Sequence, residues 1–142
     1  MSVPTYKRGE QKLTVLTKAI GLAEYTITIC KNEKSFPKRD RWIITNRIVT
    51  CALNIAENVR KANTIHVTND DDFARRRAYQ QSAMEDAEWM LTLIELAYRN
   101  LSLETSRVEH WTDLVVEVET LISAWRKSDR DAYRKKISDS KG

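Results

Sequence analysis

The sequence predicts an all-α fold, an antiparallel up-down four-helix bundle, and three observations carry that prediction. Apolar residues recur at steps of three and four along four separate stretches, the period of a helical face. Glycine and proline together supply five of the 142 residues, too few for the hairpin turns of a sandwich or barrel. Charged residues make up 31% and apolar residues 42%, the balance of a soluble helical protein. The length fits one domain.

The first helix carries Leu13, Leu16, Ile20, Ala23, Ile27 and Cys30 on one stripe. It is expected to end near Ser35 and Phe36, because Pro37 disfavours helical geometry in the residue before it. Pro37 can open the second helix, where its missing N–H costs nothing. That helix carries Ile44, Ile48, Cys51, Ile55 and Val59. The polar stretch Asn63 to Asn69 reads as a loop, and Asn69 with Asp70, Asp71 and Asp72 supplies capping oxygens and negative charge for a third helix. Phe73, Ala83, Ala87, Met90, Ile94, Ala97 and Leu101 line that helix. Ser106 and Glu109 have capping-box spacing and place a fourth helix start at Ser106. Val108, Trp111, Val115, Val118, Ile122 and Trp125 form its stripe. The bundle domain is expected over residues 1–130, followed by a basic, mobile tail over 131–142.

Helices two to four carry more apolar surface than one seam needs. Trp42, Val49, Leu53 and Ala56 form a second stripe, as do Trp89, Leu93 and Leu96, and Leu114 with Leu121. Such stripes serve either a broad core or a protein–protein surface. On the second reading Trp42, Val49, Leu53, Trp89, Leu93 and Leu96 are an oligomer interface.

Several classes of chemistry are poorly served by this chain. Its three glycines stand at positions 9, 21 and 142, which excludes Walker-type and dinucleotide fingerprints. Two histidines and two widely separated cysteines, Cys30 and Cys51, do not assemble a zinc site. Both thiols fall on apolar stripes and are expected to be buried and reduced. Neither histidine has the Glu-x-x-His spacing of di-iron bundles. Glu85 and Glu88 share a helical face and read as solvated acids. No catalytic residue, metal or cofactor is therefore expected. The longest uncharged run, Ile48 to Ala56, is nine residues, short of a membrane span. The first 20 residues carry five charges, unlike a secretory leader. A cytoplasmic protein with no membrane partner is expected.

The net charge of +4 conceals a marked segregation. Residues 1–84 hold 15 basic and 8 acidic side chains, residues 85–121 hold 2 and 9, and residues 122–142 hold 7 and 3. Lys31, Lys34, Lys38, Arg39, Arg41 and Arg47 surround the first helix-to-helix turn. Arg60 and Lys61 close the second helix, where cations also favour the negative end of the dipole. Arg75, Arg76 and Arg77 spread around one level of the third helix, and Arg126, Lys127 and Arg130 open a basic stretch that continues through Arg134, Lys135 and Lys136. Lys/Arg surfaces of this kind are either solvated faces or phosphate-backbone sites, the latter working through counterion release.

The run Tyr25-Thr26-Ile27-Thr28, the stretch Lys34-Ser35-Phe36-Pro37-Lys38-Arg39-Asp40-Arg41-Trp42, then Arg47-Ile48 and Ala52-Leu53, resembles the accessory variability determinant (Avd) family of diversity-generating retroelements. Ala62-Asn63, Glu95-Leu96-Ala97-Tyr98, Trp111-Thr112 and Ala124-Trp125-Arg126-Lys127-Ser128-Asp129 extend the resemblance. A related group, the four-helix proteins encoded in ribosomal RNA intervening sequences, is echoed by Asn54-Ile55-Ala56-Glu57. The first resemblance implies a homopentameric barrel of bundles, without a catalytic site of its own. It implies partners too: the retroelement's reverse transcriptase and its template RNA, in support of mutagenic cDNA synthesis and retrohoming. The second implies a bundle of structural or unknown role.

Overall fold

The computed structural model describes the backbone of residues 5–141 and the side chains of residues 14–140. The described residues form four long helices, α1 (Thr5–Cys30), α2 (Asn46–Thr64), α3 (Asp70–Asn100) and α4 (Thr105–Lys141), with a 3-10 turn at Lys38–Asp40 and a π turn at Arg41–Thr45 leading into α2. Consecutive helices pack on one another, and α1 closes the ring against α4. Lys18 meets Glu117 and Tyr25 meets Arg107 across α1 and α4. Arg76 meets Asp129 and Tyr98 meets Thr105 across α3 and α4. Numbers that rise on one helix fall on its partner, which is the antiparallel up-down arrangement.

Most of the predicted stripes line the core. Ile48, Cys51, Ile55 and Val59 of α2 are buried, as are Ala83, Ala87, Met90, Ile94 and Ala97 of α3 and Trp111, Val115, Val118, Ile122 and Trp125 of α4. Trp111 anchors one end. Its ring meets Phe36 edge-on at 6.0 Å, and its Nε1 donates to Thr26 Oγ1 at 3.0 Å. Thr26 in turn donates to the Leu22 carbonyl at 2.8 Å. A wholly buried hydroxyl thus has both a donor and an acceptor partner, as burial of a polar group requires.

On α1 the buried face is rotated from the predicted one. Val15, Leu16, Ala19, Leu22, Ala23, Thr26 and Ile29 are buried, whereas Ile20 is 44% exposed and Ile27 and Cys30 are half-buried. Leu13, at the head of the predicted stripe, lies outside the described side chains. The helix also stops at Cys30, several residues before Ser35. Asn32 Oδ1 accepts from Lys34 N at 3.0 Å, and the Asn32 carbonyl accepts from Phe36 N at 2.7 Å. An asparagine offering its own side chain to the backbone competes with continued helix, and burial of Phe36 folds the turn back on the core.

Pro37 opens a 3-10 turn rather than α2 itself, and the π turn follows. The wider π register buries Ile44 and Thr45 while leaving Trp42 84% and Ile43 71% exposed. Asn69 caps α3 as its sequence predicts, its side chain accepting from Asp72 N at 2.8 Å. Asp72 answers by accepting from Thr68 N and Oγ1, bonds that hold its carboxyl below the ordinary carboxylate range. The start of α4 falls at Thr105, one residue ahead of Ser106, with the Glu104 carbonyl accepting from Arg107 and Val108.

The larger difference is at the other end of α4. Residues 131–141 continue the helix instead of forming a loose tail. No glycine or proline interrupts the chain between Pro37 and Gly142, and tertiary contacts hold the extension. Tyr133 stacks on Phe73 of α3 with ring centroids 4.0 Å apart and planes 12° from parallel. Lys136 Nζ reaches the Val67 carbonyl at 3.4 Å. No described helix is long and apolar enough to cross a membrane.

Candidate nucleic-acid interface

Antiparallel packing sorts the predicted basic residues to two opposite ends of the bundle. Lys34, Lys38, Arg39, Arg41 and Arg47 sit at the α1–α2 turn, all of them exposed. Arg60, Lys61, Arg75, Arg76, Arg77, Arg126, Lys127 and Arg130 gather where α2 ends, α3 begins and α4 runs out. Arg47 and Lys61 are about 20 Å apart along α2 at 1.5 Å per residue, so the two groups do not form one site within a single chain.

At the turn, acids offset part of the charge. Lys38 Nζ lies 3.6 Å from Glu33, and Arg39 Nε lies 3.7 Å from Asp40. Arg47 is held 5.8 Å over the Trp89 ring. Lys61 is similarly engaged, 3.2 Å from Glu57 and 5.8 Å over the Tyr79 ring. A cavity of about 360 Å³ opens beside the π turn, lined by Ile27, Cys30, Phe36, Arg41 and Val49.

Three successive arginines on α3 have three different environments. Arg75 is exposed. Arg76, predicted to be a surface ligand, is 4% exposed. Its Nε stands 2.8 Å from Asp129 Oδ2, and its Nη2 donates to Oδ1 at 3.0 Å. The guanidinium also lies 5.2 Å over the Trp125 ring, and Gln80 Nε2 donates to Asp129 at 2.8 Å. At 100° per residue three consecutive positions point in three different directions, and here the middle one faces the neighbouring helix. Arg76 is therefore withdrawn from any phosphate-binding surface.

Arg77 is half-buried and belongs to a different group. Its Nη1 donates to the Arg126 carbonyl at 3.2 Å, and its guanidinium lies 5.4 Å over Phe73. Arg126 donates to Gln81 at 2.7 Å. Burial lowers the proton affinity of Arg77, and the nearby charges of Arg126, Arg130 and Arg134 lower it further. Arg126, Arg130 and Arg134 recur every four residues along α4, so the helix carries three guanidinium groups on one face beside Arg77, the last of them from the extension. Two acids stand among them, Asp129 and Asp131, and Arg76 engages the first. The remaining ion pair there, Arg130 with Asp131, is a loose 3.9 Å. Four like charges concentrated in this way form a ready anion site. Tyr133 and Asp129 are the contributors that periodicity alone does not single out, whereas Arg134 is legible in the basic stretch that opens at Arg126.

The predicted apolar interface divides as well. Trp42, Leu53, Trp89 and Leu96 are exposed and Val49 is half-buried, but Leu93 is 3% exposed and belongs to the core. Leu93 neighbours Ile94 on the inner side of a helix whose buried arc is wider than one stripe, so it leaves the surface set. Ile43, absent from that set, joins Trp42 in the open.

Burial pushes both thiols up to about 12, and Cys51 Sγ donates to the Asp86 carbonyl at 3.1 Å. No group of three or more metal-binding side chains comes together among the described residues. Glu119 of α4 is shifted as well. Burial, then a hydrogen bond and charge repulsion from Glu88 of α3, raise its carboxyl from 4.5 to about 7. The folded protein therefore holds a proton there that the unfolded chain releases near pH 4.5. Stability should fall as pH rises from 4.5 to about 7 and level off above that. Glu119→Gln is expected to gain about 1 kcal/mol at about pH 8, after allowance for solvent screening, and little at about pH 4. Urea melts at the two pH values check both the sign and the window.

No family model matches the chain, and no curated protein matches it. The fold does match a solved structure, described as a protein of unknown function from the S23 ribosomal protein family of Bacteroides thetaiotaomicron. The two are 17% identical with a TM-score of 0.69, over 82% of this chain and 98% of that one. At that identity the likeness is one of fold.

Proposed function

We propose that this chain is a non-catalytic accessory subunit that binds RNA and presents it to a reverse transcriptase of a diversity-generating retroelement. The observation that carries the RNA part is the arginine face of α3 and α4, where Arg77, Arg126, Arg130 and Arg134 converge and Arg76 engages Asp129. Sequence-tolerant phosphate binding needs such a face and no base-reading element. The polymerase part rests on the resemblance of the Phe36–Trp42 turn and the Trp125–Asp129 segment to the accessory variability determinant family. The acidic stretch 85–121 suits a basic polymerase surface. Exposed Trp42, Ile43, Trp89 and Leu96 support self-association. A closed ring hides such heterologous patches, and the resemblance makes it a pentamer.

The likeness to the S23-family structure favours a second reading, a bundle of the ribosomal intervening-sequence type with a structural or unknown role. One experiment separates the two. The oligomer is isolated by size exclusion, and light scattering should give five times the 16.5 kDa subunit mass. Template RNA is then reverse-transcribed by the cognate polymerase with and without it. The accessory reading requires more cDNA, with misincorporation at adenines, when the protein is present. Equal yield and equal misincorporation in both reactions would favour the second reading.

A further inference from the structure

The α3–α4 face holds more than charge. Arg77, Phe73 and Tyr133 form a column of flat groups, the guanidinium 5.4 Å from the Phe73 centroid and the two rings 4.0 Å apart and nearly parallel. Tyr133 is half-buried, with Phe73 stacked on one face of its ring. Arg126, Arg130, Tyr133 and Arg134 fall within about 100° of one another around α4, and the three arginines span about 12 Å of its axis. Aromatic ring and phosphate-binding groups therefore share one narrow strip. Acids flank the strip: Asp131 is exposed beside Arg130 on α4, and Asp70 is exposed about one turn before Phe73 on α3.

Resting on the RNA-binding reading above, we propose that this strip selects single-stranded over duplex RNA, seating an unpaired base against Tyr133 while Arg130 and Arg134 hold flanking phosphates. A duplex buries its base faces within its own stack and has nothing to offer the tyrosine ring. A single strand can splay a base onto it and lay one backbone along the arginines, the combination on which single-strand binders rely. A strip one helix wide, with aspartates on its border, also offers little to the second backbone of a duplex.

The test is fluorescence anisotropy with the full chain. The probes are an unstructured oligoribonucleotide of about 16 nucleotides and a blunt duplex of the same length, at one salt concentration. The parent protein should bind the single strand about tenfold more tightly than the duplex. Tyr133→Leu should weaken the single strand about tenfold and leave the duplex unchanged, while Tyr133→Phe should retain parent affinity. Should Tyr133→Leu lose helicity, Arg134→Gln replaces it, since that side chain is exposed; it should weaken the single strand more than the duplex. Equal affinity for both forms, or an unchanged single-strand affinity in whichever of the two variants is folded, overturns this inference and leaves RNA binding standing. Failure to bind either form overturns the RNA-binding reading as well.

Discussion

Arg76→Ala is expected to destabilise the bundle by about 3–5 kcal/mol, more than any other charge removal in the described chain. The guanidinium is 4% exposed and faces Asp129 through two of its nitrogens, with Trp125 against its plane. Truncation leaves the Asp129 carboxylate with Gln80 as its remaining donor there, and opens a void against the tryptophan. Removing one partner of a buried pair strands the other charge, which is why the loss exceeds the net worth of the pair. Joint replacement, Arg76→Met with Asp129→Leu, should recover most of the stability because neither charge is then stranded. Arg75→Ala, one residue away and exposed, should stay within about 0.5 kcal/mol of the parent. Urea unfolding of the four proteins decides the matter, provided the slopes agree so that midpoints report stability. A small effect of Arg76→Ala would mean that the C-terminal part of α4 is held by other contacts.

The same pair explains why part of this fold was hidden from the sequence. Periodicity finds elements whose cores are apolar, and α2, α3 and the first half of α4 are such elements. Beyond Trp125 the helix is held by Arg76 with Asp129, by Tyr133 on Phe73, and by Lys136 on a loop carbonyl. Each is a polar or aromatic contact between residues some fifty or more positions apart, and none leaves a stripe. The error on α1 has a different origin. Two stripes with three-and-four spacing interleave on that helix, and the core takes the one containing Thr26. A threonine lowers the apparent hydrophobicity of its own face, while Ile20 and Ile27 raise that of the other. The buried hydroxyl donates to the Leu22 carbonyl within α1 and accepts from the Trp111 indole arriving from α4, and that second contact leaves no stripe. By contrast the Asn69 cap is a local device, legible because its donor lies three residues away.

Site residues were legible as a composition and illegible as a geometry. Clusters of arginine are visible at 75–77 and 126–136, yet the sequence does not say that α3 and α4 bring them together. Nor does it say that the middle arginine of the triplet turns inward. A charge-reversal experiment on all three of Arg75, Arg76 and Arg77 would therefore confound binding with folding. The informative set omits Arg76.

The second large effect follows from that choice. Replacing Arg77, Arg126, Arg130 and Arg134 with glutamine should remove about four phosphate contacts while leaving the Arg76–Asp129 pair in place. Each contact to a single strand adds about 0.7 to the slope of log affinity against log salt, so the slope should fall by about 3. Between about 50 and 200 mM salt, that corresponds to an affinity change about fiftyfold smaller than the parent's. Lys38, Arg39 and Arg41 at the opposite end provide the comparison. Their replacement with alanine should also weaken binding and flatten the slope, but by less, because Glu33 and Asp40 already offset two of those charges.

The most direct measurement is the salt dependence of RNA affinity for the parent, the four-arginine variant and the turn variant, each first shown to be folded by its helicity. The α3–α4 face as RNA site predicts a steep linear decline for the parent, a slope lower by about 3 for the four-arginine variant, and a smaller change at the turn. A four-arginine variant that binds with the parent's affinity and slope would contradict it.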